Sequence, residues 1–150
     1  MTIKEHIDAD IKKALLAGEK QLVTTLRGIK SALLYVEVAE GSRESGLSEE
    51  KVMQLLLKEA KKRQESADLY VKGGNSERAQ QELDEKAVIE KYLPAQMSDE
   101  DIAKEVDVVL NSMPDATIKD MGRVIGAVKA KVGASADGSK VAELVKVRLS

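Results

Sequence analysis

Apolar residues recur every three or four positions along almost the whole chain, and no stretch alternates for long enough to indicate a strand. This spacing places apolar side chains on one face of an α-helix. The clearest example is the run Leu22, Leu26, Ile29, Leu33 and Val36. Only two prolines occur in 150 residues, so few positions interrupt such helices. The sequence therefore predicts an all-α fold.

Local signals predict where the helices begin and end. Thr2 followed by Glu5 is typical of a capping box at the start of a first helix. A polar loop with two glycines is expected over residues 40–46. Pro94 interrupts the helical pattern. We therefore expect an N-terminal four-helix part and a C-terminal three-helix bundle, over residues 1–94 and 95–150.

Apolar spacing also predicts which faces of the later helices are buried. A fourth helix, over roughly residues 76–92, is expected to bury Ala79, Leu83, Ala87 and Val88. A later helix is expected to bury Ile118, Met121, Ile125, Val128 and Val132.

Composition excludes several kinds of chemistry. The chain has no cysteine, which excludes disulfides, thiolate nucleophiles and cysteine-based zinc sites. It has no phosphate loop, EF-hand or His-Glu-x-x-His motif, so we expect no cofactor and no metal. No apolar stretch is long enough to span a membrane, and the first residues lack the apolar run of a signal peptide. We expect a cytoplasmic protein without a membrane partner.

Charge is distributed unevenly along the chain, although its total is only −2. Residues 1–94 carry a net charge of −1, residues 95–117 a net charge of −5, and residues 118–150 a net charge of +4. The basic C-terminal segment therefore follows a strongly acidic one. Its cations could contact nucleic acid, but the three tyrosines are the only aromatic residues. Any RNA contact is expected to rely on phosphates and shape rather than on base stacking.

Two glycines four residues apart, Gly122 and Gly126, lie within a predicted helix. Each glycine inside a helix costs about 1 kcal/mol relative to alanine, so each requires an explanation. Close packing against a neighbouring helix is the favoured explanation. Close approach of a partner's backbone, such as a nucleic-acid phosphate, is the alternative.

Two further positions have a functional and a structural interpretation. His6 is the single histidine, and it is interpreted as an exposed residue pairing weakly with Asp10 rather than as a general base. The loop from Gly133 to Gly138 leads into a helix and could hold one anion. An interhelical turn capped by Asp137 is the favoured interpretation of this loop.

A basic cluster on the third helix consists of Lys58, Lys61, Lys62 and Arg63. A solvated helix face is the favoured interpretation, with the stem of Arg63 lying over the apolar side. The alternative is a protein–protein adaptor that uses the basic face of the helix over residues 48–72.

Several short motifs together resemble the GatB/YqeY family. The most specific are Tyr92-Leu93-Pro94, Asp120-Met121-Gly122-Arg123-Val124 and Ala136-Asp137-Gly138. Members of this family are similar to the tail of the B subunit of the tRNA-dependent amidotransferase, and the resemblance implies a two-part helical fold. One motif departs from the family pattern, since Ala134-Ser135 stand where Gly-Arg usually precedes Ala-Asp.

The resemblance implies a tRNA-associated accessory protein, with tRNA or a tRNA-charging or amidotransferase complex as its partner. Carried onto this chain, the tRNA-facing positions are Lys119, Gly122, Arg123, Gly126, Lys131 and Lys140. The family is also linked to carbon–nitrogen ligase activity with glutamine as amido donor. No self-contained active site is visible in the sequence, so catalysis by the chain alone is the least favoured hypothesis. The sequence leaves the oligomeric state open, and a monomer is favoured.

Overall fold

The computed structural model describes residues 1–42 and 44–150. Arg43, in the polar loop predicted over residues 40–46, lies outside the described residues. Within these ranges the chain forms seven α-helices and no strand, which confirms the all-α prediction. The helices are Ile3–Ala17 (α1), Lys20–Ala39 (α2), Glu49–Lys72 (α3), Ser76–Glu90 (α4), Asp99–Asn111 (α5), Met121–Val132 (α6) and Gly138–Leu149 (α7).

The chain divides into two compact units, Met1–Leu93 and Pro94–Ser150, called here the N-terminal and C-terminal units. Helices α1 to α4 lie in the N-terminal unit, and α5 to α7 lie in the C-terminal unit. Short 3₁₀ turns at Ile118–Asp120 and Gly133–Ser135 flank α6. Each unit has its own cluster of buried apolar side chains.

The start of α1 follows the predicted capping box. The Thr2 hydroxyl accepts a hydrogen bond from the backbone N–H of Glu5 at 3.2 Å, and the Glu5 carboxylate accepts one from the N–H of Thr2 at 2.9 Å. These two bonds satisfy N–H groups that have no partner inside the helix. Gly18 then ends α1 in the left-handed conformation, with a φ of +74°.

Aliphatic side chains of all four helices form the core of the N-terminal unit. Without phenylalanine or tryptophan, this core depends on many medium-sized residues that pack at the density of a typical protein interior. Its buried members are Ile7, Ile11, Leu26, Ile29, Leu33, Val52, Leu56, Ala60 and Ile89.

The buried face of α4 differs from the predicted one. Ile89 is fully buried and belongs to the core, whereas Ala87 is exposed, so the prediction for Ala87 was wrong. The buried face runs from Ala79 to Ile89 through the half-buried, charged side chains of Glu82 and Lys86. Apolar spacing alone cannot locate a face that contains charged residues.

Polar contacts join α3 and α4 beyond this core. Nε of Arg63 lies 3.2 Å from Oε2 of Glu85 and 4.0 Å from Oε2 of Glu82, without a hydrogen bond to either. Burial raises the pKa of the Glu85 carboxyl, Arg63 acts in the opposite direction, and Glu82 adds to the increase. Ala67 and Ala79 are buried nearby, so their small side chains let these two helices approach closely.

A buried ion pair joins α1 and α2. The side chain of Glu37 is only 3% exposed, and its carboxylate pairs with the ammonium group of Lys4, which is 34% exposed. Glu37 was not identified from the sequence, because the apolar spacing assigns this turn of the buried face to Val36. A buried carboxylate is tolerated only with such a partner.

The C-terminal unit packs α5, α6 and α7 around valines. Its buried members are Ile102, Val106, Val109, Val124, Val128, Val132, Ala136, Val141 and Val145. The prediction that Ile118 is buried was wrong, since its side chain is 48% exposed. Thr117 and Asp120 form a capping box around the 3₁₀ turn, so α6 starts later than expected. Its buried face then centres on Val124, which was absent from the predicted face.

The Lys4–Glu37 pair generates a stability prediction. We expect Lys4→Met to lower the free energy of unfolding by about 3 kcal/mol, because it leaves a buried carboxylate without its partner. The double variant Lys4→Met with Glu37→Met should recover most of this loss. Urea denaturation of the three proteins at neutral pH measures both effects. If Lys4→Met were as stable as the original chain, Lys4 would not be the partner that stabilises the buried Glu37 carboxylate.

Candidate nucleic-acid interface

The exposed side of α6 carries two glycines and an alanine. Gly122 and Gly126 are exposed, and they lie on the side of α6 opposite the buried Val124 and Val128. At 3.6 residues per turn, Ala130 continues the same line and is also exposed. The sequence reasoning missed Ala130, although its spacing of four from Gly126 was a usable signal.

The two glycines do not serve close helix packing. A Cβ atom added at Gly122 or at Gly126 would meet no atom within 4 Å, apart from the helix's own neighbouring backbone. The favoured explanation from the sequence, packing against a neighbouring helix, is therefore wrong. The cost of about 1 kcal/mol for each glycine has no compensating contact within the described chain. What remains is an accessible stretch of helix backbone.

Two cations border this stretch, called here the α6 glycine face (Gly122, Gly126 and Ala130). Lys119 is exposed on the 3₁₀ turn that precedes α6. The side chain of Arg123 is 70% exposed, and its guanidinium lies 3.7 Å from the carboxylate of Asp120. That distance is too long for a hydrogen bond, and exposed pairs of this kind contribute about 0–1 kcal/mol. Arg123 is thus free to exchange Asp120 for a phosphate.

Arg123 also lines a shallow hollow of about 480 Å³. The turn after α5 forms the rest of its wall, through Ser112, Met113, Pro114, Asp115 and Ala116. The Asp115 carboxylate would repel an anion placed deep in this hollow. An anionic ligand is therefore better accommodated over the α6 glycine face than in the hollow.

The structure does not bring Lys131 and Lys140 to the α6 glycine face. Lys131 follows Gly122 by about two and a half helical turns, so it leaves α6 on the opposite side. Its ammonium group lies 3.2 Å from the Glu105 carboxylate, and that of Lys140 lies 3.3 Å from the Asp99 carboxylate. Both partners belong to α5, so these lysines connect helices within the unit.

The charge asymmetry seen in the sequence is partly an internal feature of the C-terminal unit. Besides the two lysine pairs, Nε of Arg148 donates a hydrogen bond to the Asp107 carboxylate of α5 at 2.8 Å. Acidic α5 is thus paired with cations of both α6 and α7. The net charge of +4 in residues 118–150 consequently overstates what is available to an external polyanion.

The loop between α6 and α7 acts as a turn. The Asp137 carboxylate caps α7 by accepting a hydrogen bond from the N–H of Ser139 at 3.0 Å, as predicted. The carbonyl of Ala134 accepts a bond from the Gln96 side chain, and that of Ser135 accepts one from the N–H of Met97. A capping carboxylate and inward-bonded carbonyls make this loop a poor anion site.

The motif around Pro94 has a structural role in each unit. In the N-terminal unit, the Tyr92 hydroxyl donates a hydrogen bond to the Asp10 carboxylate. Burial raises the pKa of Tyr92 above its usual range, and the bond to Asp10 adds to this increase. In the C-terminal unit, the Gln96 amide donates to the carbonyls of Pro94 and Ala134.

Most residues of the other two motifs are also accounted for by packing and capping. Asp120 belongs to the capping box, and Val124 and Ala136 are core residues. A Cβ atom at Gly138 would lie 3.0 Å from Cε of Lys129, so glycine makes room for that stem. Among the motif residues, Gly122 and Arg123 are those without a packing role.

The other sequence candidates lose support as binding sites. His6 is exposed, and Asp10, its expected partner, accepts the hydrogen bond of Tyr92 instead. In the α3 cluster, Lys58 and Lys62 are exposed, but Arg63 turns towards Glu85 of α4. Because of this turn, the cluster presents no continuous basic surface that includes Arg63.

No metal site or membrane span is found in the part of the chain that the structure describes. Residues 1–42 and 44–150 contain no group of three or more His, Cys, Asp and Glu side chains that could hold a metal ion. Over the same ranges, no helix is long and apolar enough to cross a membrane.

Comparison with known proteins identifies relatives. The model of a family described as Yqey-like protein matches residues 4–149. The chain is also 29% identical, over 110 residues, to Altered inheritance of mitochondria protein 41, mitochondrial, from Eremothecium gossypii. That alignment covers 72% of this chain and 59% of the relative. The chain therefore spans less than two thirds of the length of this curated relative.

The open space above the glycines generates a second stability prediction. We expect Gly122→Ala with Gly126→Ala to raise the free energy of unfolding of the C-terminal unit by about 1 kcal/mol per site, because alanine favours the helix and meets no obstruction. Thermal and urea denaturation of the full chain would measure this gain. A loss of stability would show instead that a neighbouring group occupies the space.

Proposed function

The chain belongs to the family of Yqey-like proteins, and on that basis we propose that it is a tRNA-associated accessory protein. In this proposal it resembles the tail of the B subunit of the tRNA-dependent amidotransferase. One observation carries the proposal. The α6 glycine face is an accessible stretch of helix without a packing role, and Arg123 and Lys119 border it.

The proposed contact is to the phosphate backbone. Arg123 offers a planar guanidinium that can donate two hydrogen bonds to one phosphate, and Lys119 offers a mobile point charge. Because Gly122 and Gly126 lack side chains, a sugar–phosphate strand can approach the axis of α6 more closely than at any bulkier position. Such a contact recognises backbone shape rather than base identity.

The proposed affinity is modest. Two phosphate-binding cations predict a slope of about −2 for the logarithm of the binding constant against the logarithm of salt concentration. Lys131 and Lys140 belong to the proposal only as secondary contacts that lie away from the α6 glycine face. To reach RNA they would have to leave Glu105 and Asp99, which is feasible because exposed ion pairs are weak.

We propose an accessory role rather than independent ligase activity. Amide transfer from glutamine requires a nucleophile, an ATP site and an acceptor site. The single histidine, His6, is exposed on the first turns of α1. The proposal also includes a functional division into residues 1–94 and 95–150, with the tRNA contact in the second part. A monomeric state and a cytoplasmic location belong to it as well.

The first test measures binding of purified protein to bulk tRNA over a salt series, with double-stranded DNA as the competing polyanion. We expect preferential binding of tRNA that weakens about 10- to 20-fold between about 50 and 200 mM salt, in line with a slope of about −2. Lys119→Glu with Arg123→Glu should weaken this binding by about tenfold or more. The double variant replaces two cations that bind phosphate with carboxylates that repel it. An absence of tRNA binding at low salt would refute a stand-alone tRNA role.

A matched control separates the site from total charge. Lys104→Glu with Lys146→Glu changes the net charge of the same unit by the same amount, and neither lysine lies on α6. This variant should lose much less affinity than the Lys119 and Arg123 variant. Gly126→Leu should also weaken binding without any change in charge, since its side chain blocks close approach. Equal losses of tRNA affinity in the control and in the site variant would show that binding depends only on non-specific charge attraction.

A further inference from the structure

Helices α1 and α2 of the N-terminal unit leave a groove of about 610 Å³ between them. This α1–α2 groove plays no part in the proposed RNA contact, and its lining combines charged and apolar side chains. The lining residues are Asp8, Ile11, Lys12, Arg27, Lys30, Ser31 and Leu34.

The groove carries uncompensated positive charge. The Asp8 carboxylate pairs with the Lys30 ammonium group at 2.5 Å, so these two charges offset each other. Lys12 and Arg27 are exposed, and neither has an ion-pair partner among residues 1–42 and 44–150. Two free cations on one groove favour a ligand with carboxylate or phosphate groups.

Apolar side chains extend from the same groove. Leu34 lines it and is 44% exposed, and Val38, one helical turn further along α2, is 56% exposed. On α1, Leu15 lies one turn beyond Ile11 and is 51% exposed. Exposed large apolar side chains that surround a groove are typical of protein-binding surfaces. A phosphate backbone would leave these side chains in water, whereas an amphipathic protein segment would cover them.

We propose that the α1–α2 groove binds an acidic amphipathic helix of a partner protein. A helix fits because a ridge of side chains packs naturally into the groove between two parallel or antiparallel helices. Its apolar residues, spaced three and four apart, would cover the exposed side chains of Leu34, Val38 and Leu15. Its flanking carboxylates would pair with Lys12 and Arg27, the latter through two parallel hydrogen bonds. This inference does not depend on RNA contact at α6.

The test uses a synthetic helical peptide of about 18 residues, with leucines three and four apart and glutamates beside them. A sequence-matched peptide carries lysine in place of each glutamate. In an NMR titration of the isotope-labelled full chain, the acidic peptide should perturb amides of α1 and α2 around the groove, with a Kd of about 10–100 µM. The basic peptide should bind at least about tenfold more weakly. Equal affinity for both peptides, or no binding of the acidic one at about 1 mM, would overturn the proposal.

Matched variants locate the interaction. Lys12→Glu with Arg27→Glu should weaken peptide binding about tenfold or more, whereas Lys58→Glu with Lys72→Glu, an equal charge change on α3, should have little effect. Leu34→Ser should weaken it as well, and Leu69→Ser, at an exposed position of α3, should not. If the control variants lose as much affinity as the groove variants, the groove is not the site.

RNA is the alternative ligand for the α1–α2 groove. If Lys12→Glu with Arg27→Glu reduces tRNA affinity and tRNA displaces the peptide from the groove, the surface serves nucleic acid and the proposal fails. The Lys119→Glu and Arg123→Glu variant should bind the peptide normally. Loss of tRNA binding in that variant and loss of peptide binding in the groove variant are therefore separate results, so either proposal can fail without the other.

Discussion

Ion pairing between acidic α5 and the basic helices beside it determines which charges of the C-terminal unit remain available. Lys131, Lys140 and Arg148 each face a carboxylate of α5. These pairs are exposed, so each adds little stability, but together they orient three helices whose core consists mainly of valines. The cations left for an external ligand are those that α5 does not reach. Arg123 and Lys119 are such cations, and they border the one helix face that carries two glycines.

Local features of this fold could be predicted from the sequence, because neighbouring residues determine them. Capping by Thr2 and Asp137 and the end of α1 at Gly18 depend on hydrogen bonds within a few residues. Features set by tertiary contacts could not be predicted in this way. The buried Glu37 depends on Lys4 of another helix. Likewise, the buried face of α6 depends on a 3₁₀ turn that moves the helix start past Ile118.

The same contrast between local and tertiary features applies to the candidate site. The sequence identified Gly122 and Gly126 as positions that require an explanation, but it favoured helix packing, since bundles usually need close contacts. Only the structure shows whether a neighbouring helix packs against these glycines, and the space around each missing Cβ atom is open. For the lysines, the sequence overestimates the charge that is available to a ligand. Residues 118–150 have an excess of cations, but sequence cannot reveal that Lys131 and Lys140 already face carboxylates. In the structure, four of the six sequence candidates, Lys119, Gly122, Arg123 and Gly126, lie on α6 or on the turn that precedes it.

The motifs that carry the family resemblance can be divided by what each residue contacts. Tyr92 is held by Asp10, Val124 is in the core, and Gly138 makes room for Lys129. Contacts within the fold account for these residues, so they indicate architecture rather than function. Gly122 and Arg123 have no comparable packing role in the described chain. The external contact that we propose would account for a glycine that weakens its own helix next to an exposed arginine. Selection for stability alone would favour alanine at that glycine.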